Sequence, residues 1–495
     1  MSPYTRARGR VSRSCGNCRA IKRRCDQQLP HCGQCVRLRE KCPGYRDEWE
    51  LVFRDQTNRT IKRSKEQRAK GTASNLPPPT SNLRTRVDEI GVNYFFRHFV
   101  IGGRSNSRGC LNYIPSVYHA DGEQFTLVAS MAAVGLVALA NLTQHPELAS
   151  HARAKYLEAI QKVNAALASP VESVKDSTLM SVISLGVFEH VSGYESFARH
   201  VHGAAALVAA RGKSQFSSPV RQLMFNQVRT DLVLACFRGT EPFPENILEL
   251  QEEAAKHADT STAWWLMGVL GTRCARLLTS VRDNQTTEEI SWSELLEEAT
   301  VLERDFESLV PVLAIQEPFT TVRASDGDPN IIHNGFIYHF KDPWSIRLWV
   351  NLRTLQMVTS EIIYFVLIKI LAEDLAPSVR EHMKLVLRRT LHTLSRLGDN
   401  ILAIVPQALE FMSSTPNACP TIGFSFQGSV AGGYMLTWGL YMVGKCLATK
   451  SETRKLVIQL LQNIGRSTGI SVALQLVENV IKIDRMVAEY HSSNS

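Results

Sequence analysis

Six closely spaced cysteines constrain this chain more than any other feature. They fall within 28 residues in the pattern C-x2-C-x6-C-x6-C-x2-C-x6-C, at Cys15, Cys18, Cys25, Cys32, Cys35 and Cys42. A segment this short, with few large apolar residues, cannot bury enough surface to fold alone, whereas thiolates satisfy tetrahedral zinc. Six sulfurs can complete two tetrahedra only if two thiolates bridge the ions. The spacing therefore predicts a cage that holds two Zn²⁺ ions as cofactors.

Positive charge is concentrated around these cysteines. Residues 1–71 hold 19 Lys/Arg against 7 Asp/Glu, a net +12, which leaves 37 against 40, a net −3, for residues 72–495. A basic end on a near-neutral body is typical of a nucleic-acid-binding head. The alternative to nucleic-acid binding is a zinc knuckle that only stabilises the chain or binds another protein. Four cations in the six positions from Arg19 to Arg24 favour a polyanionic partner instead.

Each Cys-x2-Cys pair predicts a turn that opens a short basic helix. We expect these helices at residues 18–24 and 35–41, in two equivalent halves of the module. Beyond the module, apolar residues recur at helical spacing, as at Leu355, Val358 and Ile362, and no succession of alternating strand patterns is found. The fold class predicted is mostly α, with a small N-terminal zinc domain and a large all-α body.

Composition predicts four segments along the chain. A run of three prolines ends a polar, basic stretch and stiffens it into an extended spacer. The predicted segments are a basic disordered tail (1–14), a zinc domain suited to nucleic acid (15–46), a basic and Pro-rich linker (47–85) and an all-helical body (86–490).

The remaining sequence predicts a reducing compartment and no membrane partner. The other five cysteines are scattered, and the N-terminal residues lack the apolar core of a signal peptide. Residues 125–142 are uncharged and about long enough to span a bilayer, but they are rich in Ala, Gly and Ser. We expect them to form a buried core helix.

The cysteine module resembles the fungal zinc binuclear cluster (Zn2Cys6) transcription factors. The resemblance rests on the cysteine spacing, on the run R-x-x-K-R-R-C-D from Arg19 to Asp26, and on Pro30 before the second half. It implies that Cys15 and Cys32 bridge the two ions. It also implies that each tetrahedron is completed by two further ligands, namely Cys18 with Cys25 and Cys35 with Cys42.

The same resemblance implies double-stranded DNA as the partner and a nuclear location. Lys22 would reach base edges in the major groove, typically at a CGG triplet, because a lysine can donate to guanine O6 and N7. Arg19, Arg23 and Arg24 would then mainly contact phosphates and set the register. Ile21 departs from many relatives, which carry a lysine at this position.

The helical body resembles the fungal-specific regulatory domain of these factors. The similar segments include residues 185–189, 200–204 and 349–353. The resemblance implies an RNA polymerase II regulator, not an enzyme, that contacts the transcription machinery or coactivators and often governs a metabolic gene cluster. An acidic, apolar stretch at 288–309 is the best candidate for coactivator contact, although its periodic leucines fit an ordinary amphipathic helix better.

Three alternatives stay open at this level. The chain could bind DNA as a homodimer or a monomer, since the linker has no heptad repeat. The body could bind a small-molecule effector that switches the head, which requires an apolar cavity among the helices. An enzyme fused to a zinc head is the third alternative. His190, His200 and His202 are possible metal ligands, but no carboxylate or cysteine joins them at a helical spacing that would close a site.

Overall fold

A computed structural model describes most of the chain. The described residues are 14–28, 30–44, 86–101, 110–120, 125–193, 196–239, 241–287, 289–324, 330–410 and 430–493. The predicted linker at 47–85, and all but one residue of the predicted tail at 1–14, lie outside them. The chain divides into two compact units, Met1–Arg84 and Thr85–Ser495.

Two short helices form the described part of the first unit. They are α1 (Gly16–Ala20) and α2 (Gly33–Arg37). Both start two residues earlier and end four residues earlier than predicted, so the predicted bounds were wrong. The reason is that Lys22 and Arg39 adopt left-handed backbone conformations, with φ of +53° and +50°. Such residues cannot continue a right-handed helix, and the chain turns away after each short helix.

The second unit is built almost entirely of helices, which confirms the predicted fold class. Its elements are α3 (Val87–His98), α4 (Ile114–Ala120), α5 (Phe125–Thr143), α6 (Pro146–Leu167), α7 (Asp176–Ser192), α8 (Phe197–Arg211), a 3-10 turn (Lys213–Ser217), α9 (Pro219–Arg238), α10 (Glu245–Ala255), α11 (Ala263–Thr287), α12 (Trp292–Gln316), β1 (Phe319–Arg323), β2 (Phe336–Phe340), α13 (Pro343–Ala372), α14 (Pro377–Glu410), α15 (Val430–Lys445), α16 (Ser451–Thr468) and α17 (Ser471–Ser493). The strands form one antiparallel hairpin that pairs Phe319 with Phe340.

Helix α13 is the central element of this unit. It begins at a proline, and the Asp342 carboxylate caps it by accepting a hydrogen bond from Ser345 N at 3.1 Å. It packs against α11, α12, α14 and α15. The predicted stripe of Leu355, Val358 and Ile362 is buried, as expected for a core-facing surface.

Two helices, α5 and α13, are long and apolar enough to cross a membrane by length and composition alone. Most of each apolar window is buried by the rest of the protein, 67% in α5 and 61% in α13. Helix α5 packs against α3, α6 and α7. The prediction of a buried core helix at 125–142 is therefore confirmed.

The acidic stretch predicted at 288–309 lies mostly in α12. Leu295, Leu302 and Phe306 of this helix are buried in the core. Its acidic residues Glu297 and Glu298 are exposed. This is the arrangement of an ordinary amphipathic helix, and its apolar face is already occupied by the body of the protein.

Helices α3 and α5 cross with their backbones in contact. A Cβ atom placed on Gly135 would lie 1.8 Å from the carbonyl oxygen of Gly91. A Cβ atom on Gly91 would lie 2.6 Å from the carbonyl oxygen of Ala132. Only glycine fits this crossing, which joins the first helix of the unit to its buried core helix.

We expect Gly135→Ala to lower the free energy of unfolding by about 1–3 kcal/mol, because the new methyl group forces the two helices apart. Gly203→Ala is the matched control. It also lies within a helix, but it is exposed and its nearest new contact would be 3.9 Å away. Alanine there should be neutral or stabilising by up to about 1 kcal/mol. Urea unfolding measures both, and equal effects of the two substitutions would contradict the close crossing.

Candidate metal centre and nucleic-acid interface

The cysteine sulfurs converge at the centre of the first unit. The Sγ atoms of Cys15, Cys18, Cys32 and Cys35 all lie within 4.8 Å of one another. Cys15 Sγ is 3.7 Å from Cys35 Sγ, and Cys18 Sγ is 3.6 Å from Cys32 Sγ. Sulfurs at about 2.3 Å from a tetrahedral zinc ion stand about 3.8 Å apart, whereas a disulfide bond is about 2.05 Å long. The spacing therefore fits thiolates around zinc.

The other two cysteines belong to the same cage. Cys25 Sγ lies within 4.8 Å of Cys32 Sγ and accepts a hydrogen bond from Cys15 N at 3.4 Å. Cys42 is buried in the same cluster. Burial raises the pKa of the Cys15 and Cys35 thiols. Thiolates at these buried positions need a cation beside them, which the donor set is suited to hold.

The module is built from two halves with the same backbone pattern. Arg23 N donates to the carbonyl oxygen of Cys18 at 2.9 Å. Seventeen residues further on, Glu40 N donates to the carbonyl oxygen of Cys35 at the same 2.9 Å. The left-handed residues Lys22 and Arg39 are separated by the same interval. Each half thus ends its helix in the same way and sends the chain back toward the sulfurs.

The Arg23 side chain connects the two halves. Its Nε donates to Cys18 Sγ and its Nη2 to Cys35 Sγ, both at 3.2 Å. Its guanidinium also forms an ion pair with the Glu40 carboxylate, which includes a 3.2 Å bond from Nη1 to Oε1. The Arg23 side chain is only 18% exposed. The structure thus directs Arg23 inward, which differs from the phosphate contact predicted for it.

Sequence reasoning missed Glu40. Its signal was available, because Glu40 follows Arg23 by the interval that separates the two halves. Asp26 is a second missed residue. Its Oδ1 accepts from Gly33 N at 3.0 Å and ties the loop between the halves to the start of α2. A Cβ atom on Gly33 would lie 2.4 Å from Asp26 Oδ2, so this contact also requires a glycine.

The outward cations form the exposed basic surface of the module. Lys22 and Arg24 are exposed in the first half, as Arg37 and Arg39 are in the second. Arg19 is half-buried, and its Nη1 donates to the carbonyl oxygen of Ser14 at 3.2 Å. Of the four predicted DNA-binding residues, Lys22 and Arg24 therefore present their charge to solvent. Arg19 and Arg23 bond within the module.

The three histidines of the body do not come together. His190 is buried, which lowers its pKa to about 3. His200 Nε2 lies 2.8 Å from the Tyr156 hydroxyl. His202 Nε2 lies 2.8 Å from Glu241 Oε2. In the described part of the chain, the cysteine module alone gathers three or more metal-ligating side chains.

Removal of zinc from the full chain should unfold the cysteine module and leave the helical unit folded. The only buried apolar side chains of the described module are cysteines, so it has no apolar core that could keep it folded without the metal. Structural zinc contributes about 10–16 kcal/mol in comparable small domains. Trypsin cleavage at residues 19–41 should become fast after chelation, while the helical unit keeps its circular dichroism. Unchanged resistance to trypsin would contradict this account.

Arg23→Met should speed chelator-driven zinc release about tenfold or more, because second-sphere partners of metal ligands commonly have effects of this size. Glu40→Gln should act in the same direction and more weakly, since it leaves both sulfur contacts of Arg23 in place. Arg24→Met is the matched control, as this side chain is exposed. A dye that reports free zinc measures the rates. Equal rates for the Arg23 and Arg24 variants would contradict the role of Arg23 in connecting the two halves of the module.

Comparison with known protein families matches the two units separately. Residues 13–49 match the fungal Zn(2)-Cys(6) binuclear cluster domain, and residues 92–240 match the fungal specific transcription factor domain. No curated protein and no solved structure matches the chain. Both matching families are families of transcription factors, not of enzymes. The chain therefore contains a zinc binuclear cluster domain, which binds two zinc ions, and a region similar to the fungal specific transcription factor domain, and this pair supports a DNA-binding regulator of transcription.

Proposed function

We propose that the protein is a nuclear regulator that reads CGG-type half-sites through Lys22. In this proposal residues 15–46 form the DNA-binding domain and residues 86–490 the regulatory domain. The observation that carries it is the position of Lys22. It is exposed at a left-handed turn directly after α1, and the cysteine cage fixes the backbone on both sides of it. A lysine held at such a turn can present its ammonium group to guanine O6 and N7.

The proposed ligand assignment places Cys15 and Cys32 between the two ions. Cys18 and Cys25 complete one tetrahedron, and Cys35 and Cys42 complete the other. Both short sulfur distances support it. The 3.6 Å pair, Cys18 with Cys32, shares the first ion in this assignment, and the 3.7 Å pair, Cys15 with Cys35, shares the second. Zinc supplies the free energy that closes the module when it is bound.

The neighbouring cations divide into two groups under this proposal. Arg24 is exposed and suited to contact phosphate, which sets the register and contributes equally on every sequence. Arg23 positions the two halves and leaves recognition to Lys22. The exposed side chain of Ile21, at 62% exposure, lies next to the proposed base-reading residue and offers an apolar contact instead of a second charge.

We expect Lys22→Ala to weaken binding to a CGG site by about 1–3 kcal/mol and to flatten base preference at that triplet. Alanine and lysine bear the same strain at positive φ, so the module should remain folded. Arg24→Ala should weaken specific and random DNA alike, and it should reduce the slope of log K against log salt by about 1. Fluorescence anisotropy on CGG and scrambled duplexes measures both variants. Equal losses on the two duplexes for Lys22→Ala would remove its reading role.

A second proposed function is that the helical unit receives a small effector. The specific observation in its favour is a cavity within that unit, enclosed by α9, α11, α13 and α15. Regulation of a metabolic gene cluster would give such an effector a role, since a pathway compound could then control its own genes. Genome-wide mapping of bound sites, with and without candidate pathway compounds, tests this function.

A further inference from the structure

The cavity among α9, α11, α13 and α15 has a largely apolar wall. Its volume is about 140 Å³. A cavity of about 150 Å³ is large enough for benzene. Its apolar lining consists mainly of Leu234, Phe237, Trp264, Met267, Leu348 and Trp438. The shape and lining therefore suit a compact, flat organic group.

One side of this cavity carries an uncompensated guanidinium, that of Arg229. The residue is 1% exposed and lines the cavity. Its Nη1 donates to Gln251 Oε1 at 2.9 Å, but its Nε has no hydrogen-bond partner among the described residues. Among the described residues, no carboxylate contributes to the pKa of Arg229, which burial alone shifts. Burial lowers the pKa of Arg229 to about 9, so the side chain is still charged at neutral pH.

Arg454 shows how this fold treats a buried guanidinium that serves stability. It is 0% exposed. Its Nη1 pairs with Asp484 Oδ1 at 2.9 Å, and its other nitrogens donate to three backbone carbonyl oxygens at 2.9–3.1 Å. Every charge-bearing nitrogen is satisfied. Arg229 and Arg454 are both among the largest fully buried side chains, yet only Arg454 is paired. Transfer of a charged side chain from water to the protein interior without such compensation is unfavourable.

The neighbouring helix is shaped around Arg229. A Cβ atom on Gly268 would lie 2.0 Å from Arg229 Nη2, so α11 has a glycine where the guanidinium lies. The Arg229 guanidinium carbon stands 4.6 Å from the centroid of the Trp265 ring. These two contacts hold the flat group in place without neutralising it. A buried cation held in this way at a cavity wall is suited to receive an anion from outside the chain.

The other charged groups of the cavity compensate one another. Gln227 Nε2 donates to Asp231 Oδ1 at 2.9 Å, and Arg347 Nη2 donates to Gln227 Oε1 at 3.1 Å. Burial raises the pKa of the Asp231 carboxyl to about 6. Even with Asp231 ionised, two guanidinium groups face one carboxylate. His190, which also lines the cavity, adds no charge because burial keeps it neutral. The cavity thus has an excess positive charge, located at Arg229.

We propose that this cavity binds a small organic acid whose carboxylate pairs with Arg229 and whose flat apolar body lies among Trp264, Trp438 and their neighbours. The proposal rests on the second proposed function, because it names the chemical class of the effector. The carboxylate supplies an ion-pair partner for a buried cation, and the flat apolar body matches the apolar wall of the cavity.

The first experiment uses the full chain loaded with zinc. The probes are three acids of suitable size, benzoate, hexanoate and cyclohexanecarboxylate, each compared with its uncharged amide. At least one acid should bind saturably in calorimetry and raise the melting temperature of the helical unit, while its amide should bind at least tenfold more weakly. No binding by any of the acids, or equal binding by acid and amide, would overturn the proposal.

Arg229→Met tests the residue itself. Without probe, this variant should be at least as stable as the wild type. Methionine removes a buried charge that has no ion-pair partner and replaces it with an uncharged side chain of similar shape. It should also weaken acid binding at least tenfold. Arg454→Met is the matched control, which should lower stability and leave acid binding unchanged. Arg229→Lys retains the charge and provides a second variant if methionine prevents folding. Acid binding that survives both Arg229 substitutions unchanged would overturn the assignment.

Measurements of DNA affinity test the acid-binding site and the effector function separately. A bound acid should change the affinity of the full chain for a CGG duplex by severalfold, and Arg229→Met should abolish that change. Acid binding without any change in DNA affinity would support the acid-binding site but contradict the effector function. Loss of base preference in Lys22→Ala is measured without the acid, so the two proposals fail independently.

Discussion

The structure of the DNA-binding module depends on the contact between six sulfurs and the metal they are spaced to hold. Among its described residues the buried apolar core consists of cysteines alone, and the shortest sulfur pairs stand 3.6 and 3.7 Å apart, the separation of neighbours in a zinc tetrahedron. The apolar residues Ile21, Val36 and Leu38 are exposed instead of forming a core. Because polar contacts alone cannot replace an apolar core in so short a segment, folding of the module is coupled to zinc binding.

The two equivalent halves of the module explain how its cations are divided. Each half ends its helix at a left-handed residue, and the residue after that turn donates its N–H back to the second cysteine of the half. In the first half that residue is Arg23 and in the second it is Glu40, so the repeat itself places opposite charges where they can pair. Arg23 then reaches a sulfur of each half. The cations on either side of it, Lys22 and Arg24, remain exposed and available for DNA.

The helical unit buries two guanidinium groups in different environments. Arg454 is surrounded by acceptors, and it joins the carbonyl oxygen of Gly444, near the end of α15, to Asp484 in α17. Arg229 is also fully buried, but its described side-chain hydrogen bond goes to the neutral Gln251, its guanidinium lies over aromatic rings, and it lines a cavity. A fold that buries an unpaired charge is less stable than one that pairs it, so the difference between the two arginines distinguishes a structural contact from a binding group.

The metal, the fold class and the basic face of the module could all be predicted from local patterns in the sequence. Cysteine spacing fixes which ligands a short chain can bring together, and helical periodicity fixes which faces of α13 become core, so both were predictable from Cys15 to Cys42 and from Leu355 to Ile362. Three other features became visible only in the folded protein. The turn at Lys22 shortened the predicted helix, and the pairing with Glu40 directed Arg23 inward. The cavity beside Arg229 arises where four helices meet. The turn at Lys22 is a local backbone conformation, whereas the direction of Arg23 and the cavity depend on contacts between separate segments, which cysteine spacing and helical periodicity do not specify.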